Sequence, residues 1–368
     1  MKKLLYFDDV SLYDDKKCSL PNKVISFIKE NKTVNVIEGK EIETIYVIDS
    51  TTEETKLLSN GLDKIKYMII DNKKVNVVSD YTFNSIGEHK IIYGVDRCGE
   101  NESPSFLNIT SLKEVILPSN TIISTFYGCS NLDNIEINYD GSEEINFADV
   151  FTNCSSLQEF KFPNCKYGFN SNSFKNCNNL KKLIFQGGGT LPYDYSFGYY
   201  LDSSNFSGLT NLEEVIFENG FEVKLFDSFE TNTNLKKIFI GDKVSTIVKS
   251  YDSYGYNSMW TFSEKSLEEI IVDKNNPTYD SRDNCNAIII TEKNDMIYCT
   301  KNSTIPSSVT KLSTLYMFDN EINIPDNIKT IGNNVMMMGR DKTIIFGSGL
   351  ETIEKQAFCY CYNITMYF

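Results

Sequence analysis

The stretch "FTNCSSLQEFKFPN", Phe151 to Asn164, places Phe, Cys, Leu, Phe and Phe at offsets 0, 3, 6, 9 and 11. That spacing is neither the 3.6-residue period of a helix nor the alternation of a strand. A mixed period of this kind describes one coil of a solenoid, and a solenoid requires copies. They are present: "FLNITSLKEVIL" from Phe106, "FYGCSNLDNIEI" from Phe126, "FKNCNNLKKLIF" from Phe174, "FSGLTNLEEVIF" from Phe206 and "FETNTNLKKIFI" from Phe229. A seventh, "TFSEKSLEEIIV" with Phe262, is one residue shorter. Successive Phe positions lie 20, 25, 23, 32, 23 and 33 residues apart.

In each copy a Leu is followed three and five residues later by apolar residues, as in Leu157, Phe160 and Phe162. The last two point the same way on a short strand because side chains alternate. One coil cannot bury these groups alone; stacked coils make a parallel sheet with strands about 4.8 Å apart over a continuous core. The unit is similar to that of the BspA-type leucine-rich repeat family, roughly F-x-x-C-x-x-L-x-x-I-x-I-P, and "FTNCSSLQEFKFP" matches it closely. The resemblance covers about Ser105 to Phe368. It implies a hairpin inserted in the repeat between Val272 and Leu312, with return to the coil through "IPSSV". "INIPDNIKTIG" and "GLETIEKQAF" extend it, while Met336 stands near an expected Phe and "YMFDNEINIP" is degenerate. The family implies adhesion or the binding of host components.

The expected architecture is mainly β: a solenoid over 98–368, preceded by a small β-sandwich-like domain over 1–97. Residues 1 to about 97 lack the repeat but alternate, as in "ETIYVID" and "KIKYMIID", with Asp71-Asn72 as a hairpin turn. "YTFNSIGEHKIIYGV" (Tyr81 to Val95) resembles the last strands of small immunoglobulin-like modules of surface and phage fibre proteins. The first 20-odd residues are either a docking arm or a first strand and loop.

The formal net charge of −14 excludes nucleic acid as a partner, since phosphate binding needs a basic surface. Of ten cysteines, Cys129, Cys154, Cys177 and Cys361 each fall three after a leading aromatic, which predicts a buried ladder of free thiols. "MKKLLYFDDV" does not read as a signal peptide, and no apolar run is long enough to span a membrane. The expected setting is a virion or a cell surface reached by a non-classical route, otherwise the cytoplasm.

No motif calls for a cofactor, a metal or a catalytic residue, and the expectation is a non-enzymatic protein. His89 is the only His, so a His-based metal cluster is excluded and a Ser-His-Asp site would have to use it. "GGG" at Gly187–Gly189 lacks the Lys-Ser/Thr of a phosphate loop. "DKNNPTYDSRDN" lacks the Gly and Glu of a calcium loop.

Binding is expected at two long insertions, Gln186–Asn205 and Gly241–Thr261, which fall at the same place in two coils one repeat apart. They carry Tyr193, Tyr195, Phe197, Tyr199 and Tyr200, then Tyr251, Tyr254, Tyr256 and Trp260. Tyr and Trp on loops supply large contact area at low entropy cost. These rings either form a joint patch for a protein or a cell-surface glycan, or fold back over the repeat edge. The sheet face, with Glu114, Lys161, Lys182, Glu214, Lys237 and Glu269, mixes signs. The sequence closes on "FCYCYNITMYF", leaving an open edge for self-association or a partner.

Overall fold

The computed structural model describes residues 40–95, 104–118, 125–138, 145–165, 167–168, 172–186, 209–218, 222–225, 232–249, 266–315, 319–333, 335–336, 339–359 and 361–368. Each coil is built by the quoted motif. Phe106, Phe126, Phe151 and Phe174 are buried and stack in sequence, with ring centroids 5.5, 5.9 and 5.5 Å apart and planes within 13°. Three residues on, each Cys thiol donates to the carbonyl of the preceding coil's Phe. Cys129 Sγ reaches Phe106 at 2.9 Å, Cys154 reaches Phe126 at 3.1 Å, and Cys177 reaches Phe151 at 3.0 Å. Asn232 takes the Cys place in a later coil and donates its Nδ2 to the Leu209 carbonyl at 2.9 Å. The position between Phe and Cys is left-handed: φ is 56° at Asn108, 75° at Gly128, 65° at Asn153 and 63° at Asn176. Gly and Asn adopt that conformation at least cost, which explains their recurrence there.

The N-terminal strands belong to the same sheet as the first coils. β1 (Lys40–Ile48), β2 (Ile65–Ile70), β3 (Lys73–Val75), β4 (Gly87–Val95), β5 (Leu112–Leu117) and β6 (Asn134–Ile137) order as β3-β2-β4-β1-β5-β6. β1 lies antiparallel on β5, the first coil strand, and β5 is parallel to β6. The core is shared: Tyr46 and Tyr93 join hydroxyls at 3.0 Å, and the Tyr93 ring sits 5.8 Å from Phe106 at the head of the Phe stack. The separate sandwich-like, immunoglobulin-like domain expected over 1–97 is therefore not what residues 40–95 form; they cap the solenoid. Alternating strands suit either arrangement, and the pairing of β1 with the first coil decides between them. Asp71-Asn72, at φ 48° and 67°, makes the expected turn between β2 and β3. The outer strand β3 carries exposed Lys73 and Lys74, charges that discourage further pairing at an edge.

Five further coil strands, β7 (Glu159–Phe162), β8 (Lys182–Phe185), β9 (Glu214–Phe217), β10 (Lys237–Ile240) and β11 (Glu269–Val272), form a parallel sheet in that order. Their register never slips, so Phe160, Leu183, Val215, Ile238 and Ile270 align and point inward. β12 (Ala287–Ile290) and β13 (Asp295–Cys299) make the expected hairpin, and β13 returns to the coil by pairing parallel with Lys311–Leu312. β14 (Glu321–Ile324), β15 (Arg340–Phe346) and β16 (Tyr362–Tyr367) form a parallel three-stranded sheet over a second core. There Met336 stands in for the Phe: it is fully buried, and Cys361 Sγ lies 3.4 Å from its carbonyl.

Candidate functional site

All nine aromatic residues of the two insertions, Tyr193 to Tyr200 and Tyr251 to Trp260, lie outside the described residues. Their anchor points are described. One insertion follows β8, the other follows β10, and β9 alone separates these strands. The first leaves its coil directly after β8, at Gln186, whereas Thr246–Lys249 stands between β10 and the aromatic part of the second. Part of the second is coil rather than loop, because Thr246–Lys249 pairs parallel with Glu222–Leu225.

The lone histidine has the neighbours of a catalytic triad without its chemistry. His89 Nδ1 lies 2.6 Å from Asp71 Oδ2, and Nε2 lies 3.4 Å from Ser85 Oγ. Nε2 also lies 2.9 Å from the Ser85 carbonyl oxygen, which can only accept a hydrogen bond. The carbonyl is thus the nearer of the two Ser85 oxygens, and the hydroxyl, at 3.4 Å, lies beyond ordinary hydrogen-bond length. The ring is buried and sits 4.5 Å from Phe83. This arrangement ties the β2–β3 turn to β4. Nor do the ladder thiols offer a nucleophile. Burial pushes Cys129 and Cys177 up to about 12, and burial together with its two neighbouring thiols raises Cys154 as well. In the calcium-loop look-alike, Asp280 is held by Arg282 at 2.6 Å and Thr291 at 2.7 Å, while Asp273 caps the Asn275 amide. Among the described residues no group of acids, cysteines or histidines could hold a metal.

The outward face of β7–β11 carries a charge ladder. Glu159, Lys182, Glu214, Lys237 and Glu269 stand in register across the five strands. Lys182 Nζ lies 3.3 Å from Glu159 and 3.7 Å from Glu214; Lys237 Nζ lies 3.3 Å from Glu269 and 3.9 Å from Glu214. Opposite charges placed across strands support the register, though each exposed pair is worth only about 0.2–1 kcal/mol. Two residues further along, Lys161 is followed by Ile184, Ile216, Phe239 and Ile271, an apolar row behind the ladder on β8 to β11. The mixed signs seen in the sequence are thus a self-neutralising row.

This face breaks at one step. β6 and β7 are neighbouring coil strands, yet they belong to different sheets. At every step from β7 to β11 the first strand residue donates its amide to the preceding strand. Lys182 bonds the Gln158 carbonyl, Glu214 that of Lys181, Lys237 that of Glu213 and Glu269 that of Lys236. The equivalent bond from Glu159 to Asp133 is not made. A cleft of about 720 Å³ opens there, lined by Asp133, Asn134, Glu136, Asn138, Gln158, Glu159, Lys161 and Gln186 above buried Ile135 and Ile137. Glu159 bonds Lys182, and Lys161 and Gln186 both reach Glu218. The side chains of Asn134, Glu136, Asn138 and Gln158 make no hydrogen bond within the described structure. Sequence inspection missed this cleft because it marks a pairing that does not form. At the other end, β16 closes its sheet, with Tyr362, Tyr367 and Phe368 exposed.

A family model described as "BspA type Leucine rich repeat region" matches the chain with six copies, over residues 39–137, 76–202, 124–259, 196–294 and 297–367. No curated protein matches the chain. Among solved structures, a leucine rich cell surface protein from Faecalibacterium prausnitzii A2-165 is 18% identical, over 72% of this chain and 56% of that one, with a TM-score of 0.27. A leucine-rich repeat protein from Eubacterium ventriosum ATCC 27560 is 19% identical, over 56% and 52%, with a TM-score of 0.27. The pneumococcal vaccine antigen PcpA is 14% identical, over 70% and 68%, with a TM-score of 0.32. The chain thus spans little more than half the length of the first two. Among the described residues no helix is long and apolar enough to cross a membrane.

Proposed function

The chain belongs to the BspA-type leucine-rich repeat family, and on that premise we propose that it is a non-enzymatic binding protein recognising a surface protein or glycan. The observation that carries this is the pair of aromatic insertions, which fall in two coils one repeat apart. Side chains on neighbouring loops of a rigid scaffold can meet one ligand together. The 3.4 Å between His89 Nε2 and the Ser85 hydroxyl, too long for a nucleophile bonded to its base, supports a role without catalysis. We place the protein at a cell surface as an adhesin; a virion fibre or receptor-binding component is the other setting. Peptides recovered from surface-shaved cells, set against those of purified virions, separate the two.

The test is binding of the full chain to bacterial cells and to arrayed glycans and proteins. Replacing Tyr199, Tyr254 and Tyr256 together by Ser, in a protein of unchanged melting temperature, is expected to abolish saturable binding. Unchanged binding would remove the insertions from the site.

A further inference from the structure

The cleft between β6 and β7 differs chemically from the rest of the sheet face. On β8–β10 the outward acids and lysines neutralise one another across strands. In the cleft, Asn134, Glu136, Asn138 and Gln158 keep their hydrogen-bonding capacity, and so do the Glu159 amide and the Asp133 carbonyl on the two facing edges. The volume, about 720 Å³, lies within the range of sites for small ligands.

The width selects the kind of ligand. A peptide strand inserted between β6 and β7 would hold them about 9.6 Å apart, twice the strand spacing. The Cα atoms of the two strands still approach within 8 Å of one another. The gap therefore has no room for a third strand. Charge selects further. Asp133, Glu136 and Glu159 line the cleft beside Lys161; Lys182 holds Glu159 and Glu218 holds Lys161, so no cation is left to attract phosphorylated, sulfated or carboxylated ligands. Carboxylates accept hydrogen bonds, amides both donate and accept, and so does a sugar hydroxyl.

We propose that this cleft is a binding site for an uncharged oligosaccharide, whose hydroxyls bridge the open strand edges and engage Glu136 and Gln158. This rests on the binding function above but not on the insertions. Both residues are exposed, so Glu136→Ala with Gln158→Ala leaves the core intact. The experiment applies the full chain, this double variant and the triple Tyr→Ser variant to arrayed neutral and acidic oligosaccharides and to a library of basic peptides. The expected result is saturable binding to neutral oligosaccharides, weakened at least tenfold in the double variant, whether or not the triple variant also loses it. Binding that survives the double variant and disappears in the triple variant would overturn the cleft while leaving the proposed function standing. Binding to acidic oligosaccharides or basic peptides alone, or no binding at all, would overturn it too.

Discussion

The step from β6 to β7 and the four steps from β7 to β11 are made by the same repeat, yet only the first is open on its outer side. Inside, nothing distinguishes them. Phe126 and Phe151 stack across the open step at 5.9 Å, as Phe151 and Phe174 do across the next at 5.5 Å. Cys154 reaches back across it to the Phe126 carbonyl, and the Ser156 amide reaches the Ser130 carbonyl. Outside, the closed steps carry Glu facing Lys in register, whereas the outward residues of β6 are Asn134 and Glu136. The interior therefore carries the solenoid across a step that lacks the outer strand ladder. The charge rungs accompany the closed steps from β7 to β11 but are not required for closure, since β5 and β6 pair with Glu114 facing Asn134.

The comparison can be broken from the inside first. Phe151→Ala removes a fully buried ring that touches Phe126, Phe147, Phe160 and Phe174. It is expected to cost about 3–5 kcal/mol in denaturant unfolding, because a large cavity opens in the stack. A cost under about 1 kcal/mol would mean that the stack is not what carries the coils across the open step. A smaller effect comes from alkali. Burial raises the folded-state values of the Cys129, Cys154 and Cys177 thiols above the usual thiol range. Between about 9 and 12 the unfolded chain then binds fewer protons than the folded one. The melting temperature should accordingly hold below pH 9 and fall above it, and Cys→Ala at all three positions should flatten that slope. An unaltered slope would assign the alkaline loss to other groups.

Much of the fold was legible because the interior repeats its demands at fixed offsets. Phe at 0 and Cys at 3 meet the same neighbours from coil to coil between Phe106 and Cys177, and Leu at 6 is buried in each described coil, so their spacing survives insertions elsewhere. Asn or Gly at offset 2 was an equally regular signal, and the left-handed φ at Asn108, Gly128, Asn153 and Asn176 gives its cause. Residues 40–95 were harder. The alternation of "ETIYVID" states which side is buried, not which strand lies alongside, and the partner proved to be the first coil. His89 stood out as the lone His, but its anchor Asp71 lies 18 residues away across a turn. The cleft was not read from the sequence, since a missing strand pairing leaves the inward repeat unchanged and shows only in the outward residues Asn134 and Glu136.

Amide hydrogen exchange on the free full chain tests the difference between the two kinds of step most directly. The Glu159 amide should exchange fast, while the corresponding amides of Lys182, Glu214, Lys237 and Glu269, each bonded to the preceding strand, exchange slowly. Added neutral oligosaccharide should slow Glu159 selectively. Equal protection of all five amides in the free protein would show that the sheet is continuous and that no cleft exists between β6 and β7.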